Sequence, residues 1–240
     1  MKCFIDLHIH SCLSPCAEED MTPNNIVNMS VLKGLDIIGV TDHNSAKNAA
    51  AVFEAGKRAG LVVVPGMELC TLEEVHLLCL FKNLEDVENF QDIVYGNLPP
   101  IKNREDIFGS QIIMNSRDEI TGQEEILLSG ACSLDIGTSV NLIRSLGGIV
   151  IPSHIDRNSF SMLNSLGTIP EEYSFSYLEC TIGCDLEAFL NKHSDLKKYK
   201  FIKSSDAHFL GKILEPVISM ELPEKSIDAL FYVLEGSASN

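Results

Sequence analysis

Cys3-Phe4-Ile5-Asp6-Leu7-His8-Ile9-His10-Ser11 decides how the rest of the chain is read. Its apolar residues predict a strand over Cys3–His10. Residues two apart in a strand project from the same face, so the His8 and His10 imidazoles can reach one point. Working outward, the same placement recurs at other predicted strand ends. His43 follows the strand Asp36–Thr41, in T-D-H-N. Glu68 lies beyond the strand Leu61–Val64, which runs on through Pro65-Gly66. His154 follows Ile149–Pro152, and Asp206 and His208, again two apart, follow Tyr199–Lys203. His76 instead opens its strand, Val75–Phe81, which reads as a strand running against the others.

Between these strands the chain alternates with helical runs. Thr22 is the predicted N-cap of a helix with Pro23 in its first turn and Gly34 past its end. Helices are also expected at Ala46–Ala59, Leu84–Tyr95, Thr138–Leu146, Leu186–His193 and Lys225–Leu234. About seven strands, with Phe175–Cys180 among them, describe an α/β fold: a parallel (β/α) barrel or a closely related sheet, in one domain over 1–240. The stretch from about 84 to 136 loses the βα period and reads as an insertion or lid. In a parallel barrel the C-terminal strand ends share the functional face.

Length and composition fit one globular core: 240 residues, 45% hydrophobic and 22% charged. No apolar run approaches the roughly 20 residues of a membrane span, and the N-terminus lacks a signal-like apolar segment. A cytoplasmic protein without membrane partners is expected. The formal charge of −16 argues against a duplex nucleic acid partner, because such a surface repels phosphate backbones. Small anionic substrates stay open, since bound cations invert the local field. The eight cysteines, mostly within apolar stretches, read as buried reduced thiols.

Six of the seven histidines therefore converge with Glu68 and Asp206. Imidazole and carboxylate ligands suit Zn²⁺, Fe²⁺ or Mn²⁺, and so many imply more than one ion. Glu68 is the natural bridge. Asp42 reads as a residue that orients a neighbouring histidine, or as a strand-end turn. Arg157 reads either as a bidentate phosphate ligand or as a surface salt bridge to Asp156 or another carboxylate. Arg104 and Arg117 carry the same two readings. His193, in a lysine-rich helix end, reads as a surface residue.

D-L-H-I-H-S at 6–11, T-D-H-N at 41–44, the mid-chain Glu68, His76 before the insertion, S-H-I-D-R at 153–157 and S-D-A-H at 205–208 together resemble the PHP (polymerase and histidinol phosphatase) family. The match runs from Asp6 to His208. The resemblance implies a distorted (β/α)7 barrel holding two or three divalent ions and hydrolysing phosphoesters. It places His8, His10, Glu68 and Asp206 on one ion, Glu68, His76 and His154 on a second, and His43 with His208 on a third. Family members supply another third-site ligand shortly after H-x-H. Here that segment is S-C-L-S-P-C-A-E-E-D, which offers Cys16, Glu18 or Asp20, with Glu18 favoured by its distance from Thr22-Pro23.

The expected reaction is attack on phosphorus by a metal-bound hydroxide, with a small phosphomonoester such as a nucleotide or metabolite phosphate as substrate. Trimming of oligonucleotides by an exonuclease or phosphodiesterase activity is the alternative. A metal-holding regulatory module with little turnover is the second alternative.

Overall fold

The computed structural model describes residues 1–236. In chain order its strands are β1 (Lys2–Ile9), β2 (Ile37–Val40), β3 (Val62–Cys70), β4 (His76–Leu80), β5 (Ile112–Met114), β6 (Ile120–Gln123), β7 (Ile149–Pro152), β8 (Tyr177–Thr181), β9 (Lys200–Ser204) and β10 (Ser219–Glu221). The helices are α1 (Pro23–Leu32), α2 (Ala49–Ala59), α3 (Leu84–Tyr95), α4 (Glu105–Phe108), α5 (Ile136–Ser145), α6 (Met162–Leu166), α7 (Leu186–Lys192) and α8 (Ile227–Leu234). All seven expected strands are present. The short β10 and the β5–β6 hairpin are additions that the sequence pattern did not announce.

Six strands form one curled sheet in the order β10-β1-β2-β3-β4-β7, and β8 and β9 pair separately. Hydrogen bonds near the strand ends carry the curl across the two gaps. Ile9 bridges to Ala207 just past β9, and the Ile155 N–H donates to the Glu179 carbonyl in β8 at 2.9 Å. The architecture is mixed α/β, with the sheet curled into a half-barrel. β1, β2 and β3 run parallel. As its leading histidine suggested, β4 runs against both β3 and β7.

β3 explains how one strand serves both directions. Its first half, Val62–Pro65, pairs parallel with β2, and its second half, Gly66–Cys70, pairs antiparallel with β4. In the antiparallel half, Glu68 lies opposite Leu78 and Cys70 opposite His76. Opposed residues share a face, and so do residues two apart. The Glu68 and His76 side chains are therefore diagonal neighbours on one face. Close strand approach also fixes Gly39, where an added Cβ would sit 2.3 Å from the Leu7 carbonyl oxygen.

The helices follow their sequence signals. Thr22 caps α1 by accepting from the Asn25 N–H, with Pro23 in the first turn. Gly60 ends α2 at φ +72°, a conformation that suits glycine. One apolar cluster joins the sheet to Ile26 and Val27 of α1, Val52 of α2, Phe90 of α3 and Ile143 of α5. A second joins Ile5, Leu7, Ile37, Val64, Leu78 and Ile151 to Leu230 and Phe231 of α8. No described helix is long and apolar enough to cross a membrane.

The 84–136 segment holds α3, α4 and the β5–β6 hairpin. Backbone hydrogen bonds tie it to the rest of the chain: Ile112 N–H to the Cys12 carbonyl and Cys132 N–H to the Cys70 carbonyl, both at 2.9 Å.

Candidate metal centre

Glu68 sits at the middle of the convergence, fully buried. Its Oε1 lies 3.2 Å from His8 Nε2, 2.9 Å from His76 Nδ1 and 3.1 Å from His154 Nε2. Its Oε2 lies 3.4 Å from His10 Nε2 and 3.1 Å from His43 Nδ1. Five imidazoles thus face one carboxylate. The backbone enforces this, because the Glu68 N–H donates to the Asp42 carbonyl and the Glu68 carbonyl accepts from the Asn44 N–H.

Asp206 closes the opposite side. Its Oδ1 is 3.1 Å from His10 Nε2, 3.6 Å from His8 Nε2 and 3.5 Å from His208 Nδ1. Three sets bring their ligand atoms within 4.8 Å of one another: His8, His10, Glu68 and Asp206; His43, Glu68 and His76; and His10, His43 and His208. The first set is the quartet that the family resemblance assigns to one ion. In the second, His43 takes the place expected of His154, which still approaches Glu68 Oε1. In the third, His10 joins the expected pair.

The donor set fits divalent cations. His43 Nδ1, His76 Nδ1, Glu68 Oε2 and Asp206 Oδ1 are buried without a hydrogen bond, although partners stand 2.9–3.6 Å away. Leaving a buried polar atom unsatisfied costs roughly 1–3 kcal/mol. Lone pairs that converge on a shared point, rather than pairing with each other, are what a cation between them would satisfy. Electrostatics agree. Burial alone would raise the Glu68 pKa, but His76 and His8 beside it, with His10 and His154 also facing it, hold it well below the usual carboxylate range. Burial and the facing His10 push His208 down to about 3, which favours the neutral, ligating ring.

The residues behind the ligands were less visible in the sequence. Glu179, in Y-L-E-C-T of β8, is 1% exposed. Both its oxygens lie 3.1 Å from His8 Nδ1, and it accepts from the His154 N–H at 3.0 Å. It fixes the tautomer and direction of His8. A carboxylate in an otherwise apolar strand was the available signal. Asp6 accepts from the Ser205 and Leu214 N–H groups at 3.0 and 3.1 Å, which holds the loop carrying Asp206 and His208. Asp42 touches no histidine ring. It accepts from Ser11 N–H, Ser11 Oγ and Ser14 Oγ, and Ser14 Oγ lies 2.9 Å from His10 Nδ1.

Two of the converging residues carry backbone strain: His154 at φ +30° and Asp206 at φ +48°. Non-glycine residues rarely adopt this region, and such strain collects at functional sites.

Several sequence expectations change here. Glu18 is exposed and stands in none of the ligand sets; only its N–H, donating to the His208 carbonyl, ties it to the region. Asp20 is exposed as well. Of the three candidates in that segment, Cys16 lines the cavity together with His43 and His208. The Ser14–Ala17 turn leaves Cys16 exposed at the cavity rim and carries the acidic run out to solvent. Arg157 reaches Asp206 Oδ2 at 2.6 Å rather than Asp156, whose oxygens accept from Thr181. Arg104 pairs with Asp106 on the surface, and neither it nor Arg117 lines the cavity.

The cavity above the cluster has a volume of about 500 Å³. Glu68, Asp206, His43, His76 and His208 form its floor, and Phe108, Leu127, Phe160 and Arg157 stand around it.

Comparison with known proteins agrees with the motifs. Residues 6–118 match the PHP domain family model. Uncharacterized protein YqxK of Bacillus subtilis is 24% identical across 88% of this chain and 56% of the relative. Uncharacterized protein MJ0043 of Methanocaldococcus jannaschii is 27% identical across 62% of this chain but only 16% of the relative. The chain thus spans little more than half, or less, of these curated relatives. Among solved structures, the lesion-specific endonuclease PfuEndoQ from Pyrococcus furiosus aligns over all of this chain and 57% of that one, with a TM-score of 0.68 and 18% identity. A putative metal-dependent phosphoesterase from Bifidobacterium adolescentis covers 85% of this chain and 87% of its own, with a TM-score of 0.57 and 16% identity.

One expectation falls. Endonuclease Q, with the same fold at a TM-score of 0.68 and 17% identity, has been solved with a 27-mer duplex substrate, an abasic lesion at the active site. The exclusion of duplex nucleic acid, drawn from net charge alone, does not stand. Net charge averages over the whole surface, whereas a substrate meets a local field that cations and a few side chains set.

Proposed function

We propose that this chain, whose residues 6–118 match the PHP domain family model, is a metal-dependent hydrolase of phosphoesters, with a small phosphomonoester as the first substrate class. The observation that carries this reading is the single carboxylate, Glu68, faced by five imidazoles, with buried lone pairs left unpaired around it. In this reading His8, His10, Glu68 and Asp206 hold one divalent ion, while His43, His76 and His154 complete a second site across Glu68. His10, His43 and His208 hold a third, with Cys16 beside them. Zinc, iron and manganese suit these donors. When bound, the ions supply Lewis acidity and lower the pKa of water.

The chain's own residues then position and shield. Glu179 holds His8 in one tautomer, and Asp42 acts through Ser14 on His10. Arg157, with its side chain 38% exposed at the cavity, presents a guanidinium fork to a phosphate. The 84–136 segment serves as a wall that confines a small ligand. The segment and the rest of the chain act as one catalytic unit.

A panel of phosphomonoesters, bis-p-nitrophenyl phosphate, short oligonucleotides and a lesion-bearing duplex tests this. Monoester turnover that disappears with a chelator and returns with divalent metal is expected. Failure on every phosphoester in the panel would refute the proposal. Cleavage confined to the duplex would favour the second reading, a DNA phosphodiesterase, which the fold shared with endonuclease Q supports.

A further inference from the structure

Phe160 combines three features that packing alone does not require. Its backbone sits at φ +53°, a genuine outlier for a bulky residue. Its carbonyl is pinned by the His76 N–H at 2.9 Å, and Ser161 Oγ bonds back to the Arg157 carbonyl at 2.7 Å, so the loop is braced on both sides of the strained residue. The residue nonetheless remains 42% exposed. One face stacks on His76, with centroids 4.7 Å apart and planes at 24°, while the side chain lines the cavity.

Phe108 stands on the same cavity, also 42% exposed, and its placement is equally deliberate. Gly109 follows it at φ +94°, where an added Cβ would lie 2.1 Å from the Pro15 carbonyl oxygen. Only glycine lets the α4 end press against that turn. Leu127, Ser129 and Gly130 continue the wall, held by Asn44, whose side-chain amide donates to the Leu128 and Gly130 carbonyls at 2.7 Å each. A floor made for cations and phosphate is therefore overlooked by two exposed aromatic rings held on constrained backbone.

We propose that Phe160 and Phe108 form a binding wall for the flat aromatic ring of a nucleotide whose phosphate lies over the histidine floor. The inference rests on the phosphoesterase reading for the position of the phosphate. Aromatic side chains stack on any nucleobase through its π-face, without sequence preference. A sugar phosphate would leave both rings in water.

The test compares a nucleoside 5′-monophosphate with ribose 5-phosphate, two substrates that differ by the base. In Phe160→Leu and Phe108→Leu, KM for the nucleotide should rise about tenfold or more relative to KM for ribose 5-phosphate, with Phe160→Tyr near wild type. An equal fall in kcat on both substrates would overturn the proposal, because Phe160 would then merely seat His76. Unchanged KM values would overturn it too. A dinucleotide arm separates the free nucleotide from the end of a strand. Binding of 2-aminopurine riboside, followed by its fluorescence in a chain without tryptophan, needs no turnover. Weakened binding in Phe160→Leu would support the wall even if hydrolysis failed, and no binding to wild type would refute it whether or not the enzyme hydrolyses phosphoesters.

Discussion

Glu68 and Phe160 look into the same cavity from opposite kinds of structure. Glu68 is fully buried in a strand paired on both sides, and its partners His8, His43, His76 and His154 come from other strands and strand ends. Phe160 is half exposed, on a loop held at positive φ. The floor is rigid because the sheet makes it so, and chemistry needs such precision. The wall is built from connecting segments, where selectivity can vary without disturbing the ligands.

Substitutions divide along the same line. The largest effect should come from behind the floor. Glu179→Gln removes the carboxylate that orients His8 and should weaken metal binding about 10–100-fold, measured by titration with a chromogenic chelator, with the circular dichroism spectrum unchanged. Wild-type affinity in that variant would show that the sheet alone orients the ring. On the wall side, Asn44→Ala frees the Leu128 and Gly130 carbonyls and the Cys70 N–H from their side-chain partner. Urea unfolding should register a loss of about 1–3 kcal/mol. Proteolysis should cut first within the 84–136 segment; cleavage elsewhere would mean that Asn44 does not anchor it.

Thiol labelling offers a gentler comparison of the same regions. Cys16 at the rim is exposed, whereas Cys3, Cys12, Cys70, Cys79, Cys132 and Cys180 are buried. Burial, with Asp42 nearby, pushes the Cys12 thiol up to about 12, and burial beside Glu68 does the same to Cys70. Iodoacetamide at neutral pH should therefore modify Cys16 first, with Cys184 slower. Early labelling of Cys70 would contradict the packing of the floor. Smallest of all, Arg104→Ala removes only an exposed pair with Asp106 and should leave the urea midpoint and the kinetics unchanged, because solvent screens such pairs. A change in KM would bring Arg104 into the wall.

The floor was legible in the sequence because ligand chemistry and strand periodicity point the same way. His8 and His10 are two apart on a strand, and Asp206 and His208 follow another. The reversed strand could be read from His76 standing at its start. The supports were harder to read. Asp6 and Glu179 act through carboxylates inside strands, and only the fold reveals that their partners are the Ser205 and His154 N–H groups, respectively. Glu18 looked suitable by spacing, yet the Ser14–Ala17 turn carries it outward and leaves Cys16 facing the cavity. The wall left no pattern. Phe108 and Phe160 are single aromatics in irregular segments, and nothing periodic marks a residue whose role depends on a strained φ or on a neighbouring glycine.

The central claim is that Glu68 joins a cluster of divalent cations on which phosphoester hydrolysis depends. Metal content per chain, measured by mass spectrometry beside monoester turnover in wild type and Glu68→Gln, tests it most directly. The account predicts at least two equivalents of divalent ion and chelator-sensitive turnover in wild type, with both falling together in the variant. A Glu68→Gln protein that kept its metal and its activity would contradict it.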